Sequence, residues 1–331
     1  MSVALSFVVL LSICSFSVGA KADNNQVYLG GQPFGLKFYN NGLIVVELES
    51  FFDGKNYKCP AKESGIKVND IIKEVNGEKI KTNEELQNKV AKSNGNSISI
   101  TLERNGEKVN KKVVPHKNVS GFYLLGAWVR DSCAGIGTVT YYDENNNYFA
   151  ALGHGVCDLD TTALLPLSYG DVVKANISGV TKSVKGKAGS LNGYFSDEIF
   201  GTLTKNTVNG IYGTTNDNYN PCNKLVEIAD RSEIKTGKAQ IYTTISGDKP
   251  KLYNIEITKI CNTSKKSNEN FVIKVTSDEL LNICGGIVQG MSGSPIVQNG
   301  KLVGAVTHVF VNNPSEGYGV MAQNMVEVFD E

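Results

Sequence analysis

From Ala127 to the C-terminus the chain shows almost no helical periodicity. Short apolar runs, such as "YFAALG" at 148–153 and "KLVGAVTHVF" at 301–310, are separated by glycine and asparagine turns. Runs of this length and spacing fold as strands, and strands with no helices between them close into sandwiches or barrels. A stretch this long predicts two barrels. The chain has 34 glycines in 331 residues, several in Asn-Gly pairs, which supply the positive-φ positions that hairpin turns demand. Hydrophobic residues make up 41%, the composition of a globular protein. Thirty-three basic residues balance 33 acidic ones, which argues against a general nucleic-acid binder.

The first 22 residues, "MSVALSFVVLLSICSFSVGAKA", carry an apolar run followed by small residues. They predict an export signal or an uncleaved membrane anchor. Export permits disulfides among Cys59, Cys133, Cys157, Cys222, Cys261 and Cys284, but no C-x-x-C pair suggests a metal ribbon, and neither metal nor cofactor is expected.

Residues 27–115 form a separate α+β unit. "GLKFYNNGLIVVEL" reads as two strands joined at Asn40–Gly42, and "TNEELQNKVAKS" as a short helix with a Thr82/Glu85 capping box. "SISITLERNGEKVNKKVVP" is a hairpin turning at Asn105-Gly106. With "PFGLKF" and "PAKESGIKVNDIIKEVNG" this unit resembles a PDZ domain. The resemblance implies that an extended peptide adds to an exposed strand, its terminal carboxylate held by the backbone amides of Phe34, Gly35 and Leu36. Residues 116–126, with His116, read as a linker, and 127–331 as the second domain.

Chemistry concentrates in "GGIVQGMSGSPIVQNGKLVGAVTHVF", residues 285–310. A serine nucleophile needs a base within reach and donors for the developing oxyanion. Gly290 and Ser292 begin a G-x-S-x-G hydrolase elbow, but Ser294 replaces the second glycine and Pro295 opens a hairpin rather than a helix, which excludes the elbow. G-x-S-G-x-P followed by β structure resembles the nucleophile loop of chymotrypsin-like serine peptidases. Ser292 is then the nucleophile, with the N–H groups of Gly290 and Ser292 as the oxyanion hole. Gly290 permits the unusual backbone, and Gly293 lets the loop pass close by. Ser294 is a rival that lacks the preceding G-x spacing. His154, in "YFAALGHGVCD", is the candidate base. Asp197 is a candidate for the orienting acid, whereas Asp158 and Asp160 sit so near the histidine that they read as turn caps. Cys157 as an alternative nucleophile has no oxyanion loop around it. His308, sixteen residues after Ser292, is placed to line a substrate pocket and donate to a Gln or Glu at P1.

Together, the leader, the PDZ unit, "ALGHG" and "GGIVQGMSGSPIVQNGKLVGAVTHVFVNNPSEGYGV" resemble the SpoIVB peptidases of sporulation. A PDZ unit placed before the catalytic domain fits that family rather than the HtrA-type proteases. The resemblance implies a mainly β serine endopeptidase, a PDZ domain followed by a chymotrypsin-like double barrel. It implies export into the space between forespore and mother cell, self-cleavage, self-recognition through the PDZ domain, and cleavage of a membrane-bound regulator that leads to sigma-factor activation. His154 matches the family histidine and Ser292 the family serine. The family aspartate position holds Ser277, and Asp278, one residue later, is the leading candidate with Asp197 second. The alternative is a non-catalytic PDZ scaffold built on an inactive peptidase fold.

Overall fold

The computed structural model describes residues 26–143, 147–158, 160–216, 224–261, 264 and 267–329; the expected signal or anchor and Cys222 lie outside them. The chain is mostly β, as its turn-punctuated pattern predicts. Strand β1 (Gln26–Leu29) and a long strand β2 (Pro33–Leu48) open it. Strands β3 (Ile71–Val75), β4 (Ile98–Arg104) and β5 (Glu107–Val113) follow, with helix α1 (Asn83–Lys92) between β3 and β4. Next come β6 (Ala127–Asp143), β7 (Tyr148–Ala151), β8 (Leu167–Thr181), β9 (Ser190–Thr207) and β10 (Gly210–Thr215). The last set is β11 (Gly237–Thr243), β12 (Lys251–Ile260), β13 (Phe271–Val275), helix α2 (Asp278–Cys284), β14 (Pro295–Gln298), β15 (Lys301–Val309) and β16 (Glu316–Met321).

These strands make the two expected barrels. In the first, β2, β6, β7, β10, β9 and β8 pair in a ring, each antiparallel to its neighbours. Phe34, Phe38, Val139, Phe149, Val172 and Ile211 fill it. In the second, β11, β12, β13, β16, β15 and β14 close around Ile241, Ile255, Phe271, Ile273, Ile296 and Val306. Closing each ring leaves its strands paired on both sides within the barrel.

The α+β unit is built as its sequence suggests. Thr82 and Glu85 form the capping box of α1, and Asn105 and Gly106 take φ of 52° and 81° at the β4–β5 turn. Its core holds Leu43, Val45, Ile72, Leu86, Val90, Ile100 and Leu102. Buried Asp70 accepts both ends of the Arg104 guanidinium at 2.7 Å and the Lys67 N–H at 2.8 Å, a fork that ties β4 to the turn before β3.

The structure corrects the expected boundaries. "GLKFYNNGLIVVEL" is not two strands but part of the single 16-residue strand β2, within which Gly42 takes φ 118°. Its first half belongs to the first barrel and its second half, paired with β3, to the PDZ sheet. Strand β6 is shared likewise. Ala127–Arg130 lies against residues 44–48, and Ser132–Thr138 against residues 33–39. The PDZ unit is therefore inserted between the first two strands of the barrel, so residues 26–40 belong to the barrels and the expected domain starts at 27 and 127 do not mark separate bodies. The same pairing removes the expected carboxylate loop. Phe34, Gly35 and Leu36 pair with β6 on one side and β8 on the other, in the middle of a closed sheet. Their amides serve the barrel, because the Phe34, Leu36, Phe38 alternation demands burial there.

Candidate active site

His154 is carried by the turn after β7. Leu152 and Gly153 both take left-handed conformations, φ 66° and 67°. Such a φ is strained for leucine, and it is held by the Leu152 N–H donating to the Thr138 carbonyl at 3.3 Å. Glycine at 153 lets the turn press on the second barrel, since a Cβ there would sit 3.0 Å from Val320 and 3.1 Å from Thr307 side-chain carbons. The sequence "ALGHG" thus delivers the histidine to the seam between the barrels.

The ring's tautomer follows from its partner. His154 Nδ1 lies 2.8 Å from the Gly155 carbonyl. A carbonyl only accepts, so Nδ1 carries the proton and Nε2 keeps its lone pair. The His308 ring packs on it, centroids 4.8 Å apart and planes 33° from parallel. Burial, then repulsion by His308, lowers the His154 pKa from 6.5 to about 4, against the opposing bond to Gly155. Desolvation also lowers that of His308. His154 is thus a neutral base at any ordinary pH.

Ser292 approaches from the second barrel. Its loop turns on Gly290 and Gly293, at φ 98° and 93°, and a Cβ on Gly293 would lie 2.0 Å from the Thr138 carbonyl oxygen. Met291 is fully buried and anchors the loop. The Ser292 hydroxyl donates to the Thr307 carbonyl at 2.8 Å, next to His308. Ser292 and His154 therefore both sit against the Thr307–His308 segment of β15. The amides of Met291, Gly293 and Ser294 donate to Val288, Val306 and Met291 carbonyls. Among the described residues, those of Gly290 and Ser292 donate to nothing. They are the pair named as oxyanion donors. Ser294, the rival, is fully buried and donates to Thr243 Oγ1 at 2.8 Å.

The expected acids do not reach this seam. Asp278 is exposed in the first turn of α2, and Ser277 is the cap of that helix, accepting the Leu280 N–H. Both residues are used to start a helix. Asp197 is exposed on β9, and among the described residues it makes no bond to His154. Among the described residues no carboxylate bonds to His154. Asp158 does cap a turn, accepting the Asp160 and Thr161 N–H groups, and both Asp158 and Asp160 pair with Arg130. Burial raises the Cys157 thiol pKa, the wrong direction for a nucleophile. Cys59, Cys133, Cys157, Cys261 and Cys284 are all free thiols.

An unpaired strand edge lies beside helix α1, away from Phe34–Leu36. The Ala127–Asp131 segment of β6 pairs with β2 on one side, and among the described residues no strand pairs with its other edge. Helix α1 runs beside that segment. The Asn83 N–H at its start donates to Asp131 Oδ2 at 2.9 Å, and beyond its end Gly95 packs on the Tyr123 ring.

Protein-family comparison matches residues 121–326 to SpoIVB peptidase S55 and residues 39–114 to a PDZ domain. Among solved structures, the PDZ domain of the SdrC-like protein (Lmo2051) from Listeria monocytogenes is 18% identical, covering 27% of this chain and 87% of that one at a TM-score of 0.22. The inactive form of the Rv3671c protease is 13% identical, covering 58% and 81% at 0.34. The HtrA-type protease AlgW with tripeptide is 12% identical, covering 60% and 55% at 0.35.

Proposed function

Since the chain belongs to the SpoIVB peptidase S55 family, a serine peptidase joined to a PDZ domain, we propose that Ser292 and His154 are its catalytic pair. What supports this is their convergence on one seam, with a neutral base on one side and two unbonded loop amides on the other. In this step the Ser292 hydroxyl leaves the Thr307 carbonyl and passes its proton to His154 Nε2. The oxygen then attacks the substrate carbonyl, and the Gly290 and Ser292 amides receive the oxyanion. His154 returns the proton to the leaving amine, and water hydrolyses the acyl-enzyme by the same route. The Gly155 carbonyl supplies one part of an aspartate's work in a triad, fixing the tautomer and the ring, without the charge that stabilises the imidazolium. His308 borders the substrate site.

In this reading the protein is exported to the space between forespore and mother cell, cleaves itself, and cleaves a membrane-anchored regulatory protein whose loss triggers sigma-factor activation. A peptide of the substrate, or of the chain itself, adds to the outer edge of Ala127–Asp131 with α1 as the second wall. The scaffold reading draws on two observations, a His154 ring with no carboxylate bonded to it among the described residues and a Ser292 hydroxyl bonded to Thr307 instead of to His154. Purified protein and its Ser292→Ala variant separate the two. Self-cleavage and fluorophosphonate labelling are expected in the wild type alone, and labelling of neither leaves the scaffold.

A further inference from the structure

Thr138 stands where the base-bearing turn and the nucleophile loop meet. It lies on β6, in the first barrel. Its N–H donates to the Ser292 carbonyl at 3.0 Å, and its hydroxyl donates to the Gly290 carbonyl at 2.7 Å. Its own carbonyl accepts the Leu152 N–H, two residues before His154. Thr140, on the same face of the strand, donates its hydroxyl to the Gly293 carbonyl at 2.8 Å. The carbonyls of residues 290, 292 and 293 are therefore all held by one strand of the opposite barrel.

Neither hydroxyl is needed by the barrel itself. Both threonines are buried, 1% and 0% exposed, beside Val139 and Tyr141, where valine would fill the same volume. A hydroxyl buried there requires a partner, and the loop is the partner it has. The bond to Gly290 matters most. Glycine at φ 98° has no side chain to fix its peptide planes, and the Gly290–Met291 plane is held from two sides, by Thr138 on its oxygen and by the Val288 carbonyl on its N–H. The neighbouring plane carries the Gly290 amide, and its own carbonyl, that of Gln289, accepts the Leu191 N–H at 2.8 Å, so the amide is fixed between that bond and the plane Thr138 holds.

We propose that Thr138 and Thr140 are positioning residues of the peptidase: they fix the peptide planes next to those that carry the Gly290 and Ser292 amides and set the distance between the loop and His154, without touching substrate. The proposal rests on the assignment of Ser292 and His154 given above. It is tested in the full chain with Thr138→Val, Thr140→Val and Thr138→Ser. Two readouts are used, Ser292-dependent hydrolysis of a fluorogenic peptide and hydrogen–deuterium exchange of peptides covering residues 285–298. Thr138→Val keeps both backbone bonds and loses only the hydroxyl. It is expected to lower kcat about 10- to 100-fold with KM changed less than about twofold, because a misplaced catalytic group costs about that much. Thr138→Ser is expected to restore most of the rate. Exchange within 285–298 should quicken in both valine variants while β12 and β13 stay protected. A wild-type kcat in Thr138→Val, an equal loss in Thr138→Ser, or unchanged exchange overturns the proposal. If the wild type shows no Ser292-dependent hydrolysis, the peptidase assignment fails, and exchange alone decides whether the hydroxyls hold the loop.

Discussion

His154 departs further from its free chemistry than other residues of the site, and it sets the pH behaviour. With a pKa of about 4 instead of 6.5, it is deprotonated and able to accept a proton well into the acid range. The acid limb of kcat/KM should lie near 4, and a limb near 6.5 would contradict the packing around the ring. Stability responds too. Below 6.5 an unfolded chain binds a proton at His154 that the folded one refuses until about 4. Folding stability should therefore fall as pH drops through this window, by up to roughly 3 kcal/mol, and His154→Gln should flatten that slope in urea titrations. The two serines separate cleanly. Ser294→Ala should keep fluorophosphonate labelling and lose about 1 kcal/mol of stability with its bond to Thr243. His308→Leu in a peptide-library profile tests its place in the pocket, an unchanged P1 preference removing it. Ser292 and His154 were legible in the sequence because glycine flanks mark turns that backbone geometry demands. Thr138 and Thr140 were not, since two threonines in a strand carry no spacing signal and their partners lie 152 and 153 residues away.

At the level of elements, the short-range patterns translate directly. The capping box of α1 and the Asn105-Gly106 turn are written in adjacent residues and appear as written. Ser277–Asp278 shows the limit of such reading. A serine and an acid before an apolar run are a helix start, and the fold uses them so, whatever a resemblance assigns to that position. Strand β2 fails for a related reason. Asn-Asn-Gly between two apolar alternations is a good hairpin signal, and only partners about 80 to 140 residues away in β6 and β8 keep the chain in one continuous strand. The Asp70–Arg104 fork is the element-scale contact with most at stake. Asp70→Ala should destabilise the PDZ unit by roughly 3 kcal/mol by leaving the Lys67 N–H without an acceptor and the guanidinium with only the Gly65 carbonyl, a loss readable as a lower urea midpoint.

For the molecule as a whole, insertion of the PDZ unit into the first barrel predicts how it can be cut. A fragment beginning at Ala127 lacks β1 and β2, so the ring of the first barrel is left one strand short. Such a fragment should be protease-sensitive and lack a cooperative thermal transition, whereas a chain beginning near residue 26 should retain both barrels. The fold class was readable from composition and turn spacing, but the nesting was not, because nothing local distinguishes a strand that ends a domain from one that passes through two.

That nesting bears on synthesis at the ribosome. The first half of β2 leaves the exit tunnel early, yet its partners in β6 and β8 are translated about 100 residues or more later, roughly 5–20 s at ordinary elongation rates. Residues 43–113 can meanwhile find partners among themselves. The nascent chain thus carries a partly built PDZ core, awaiting Leu125 and the start of β6, beside an exposed Phe34–Leu36–Phe38 stripe, a natural landing place for a holding chaperone until the barrel closes.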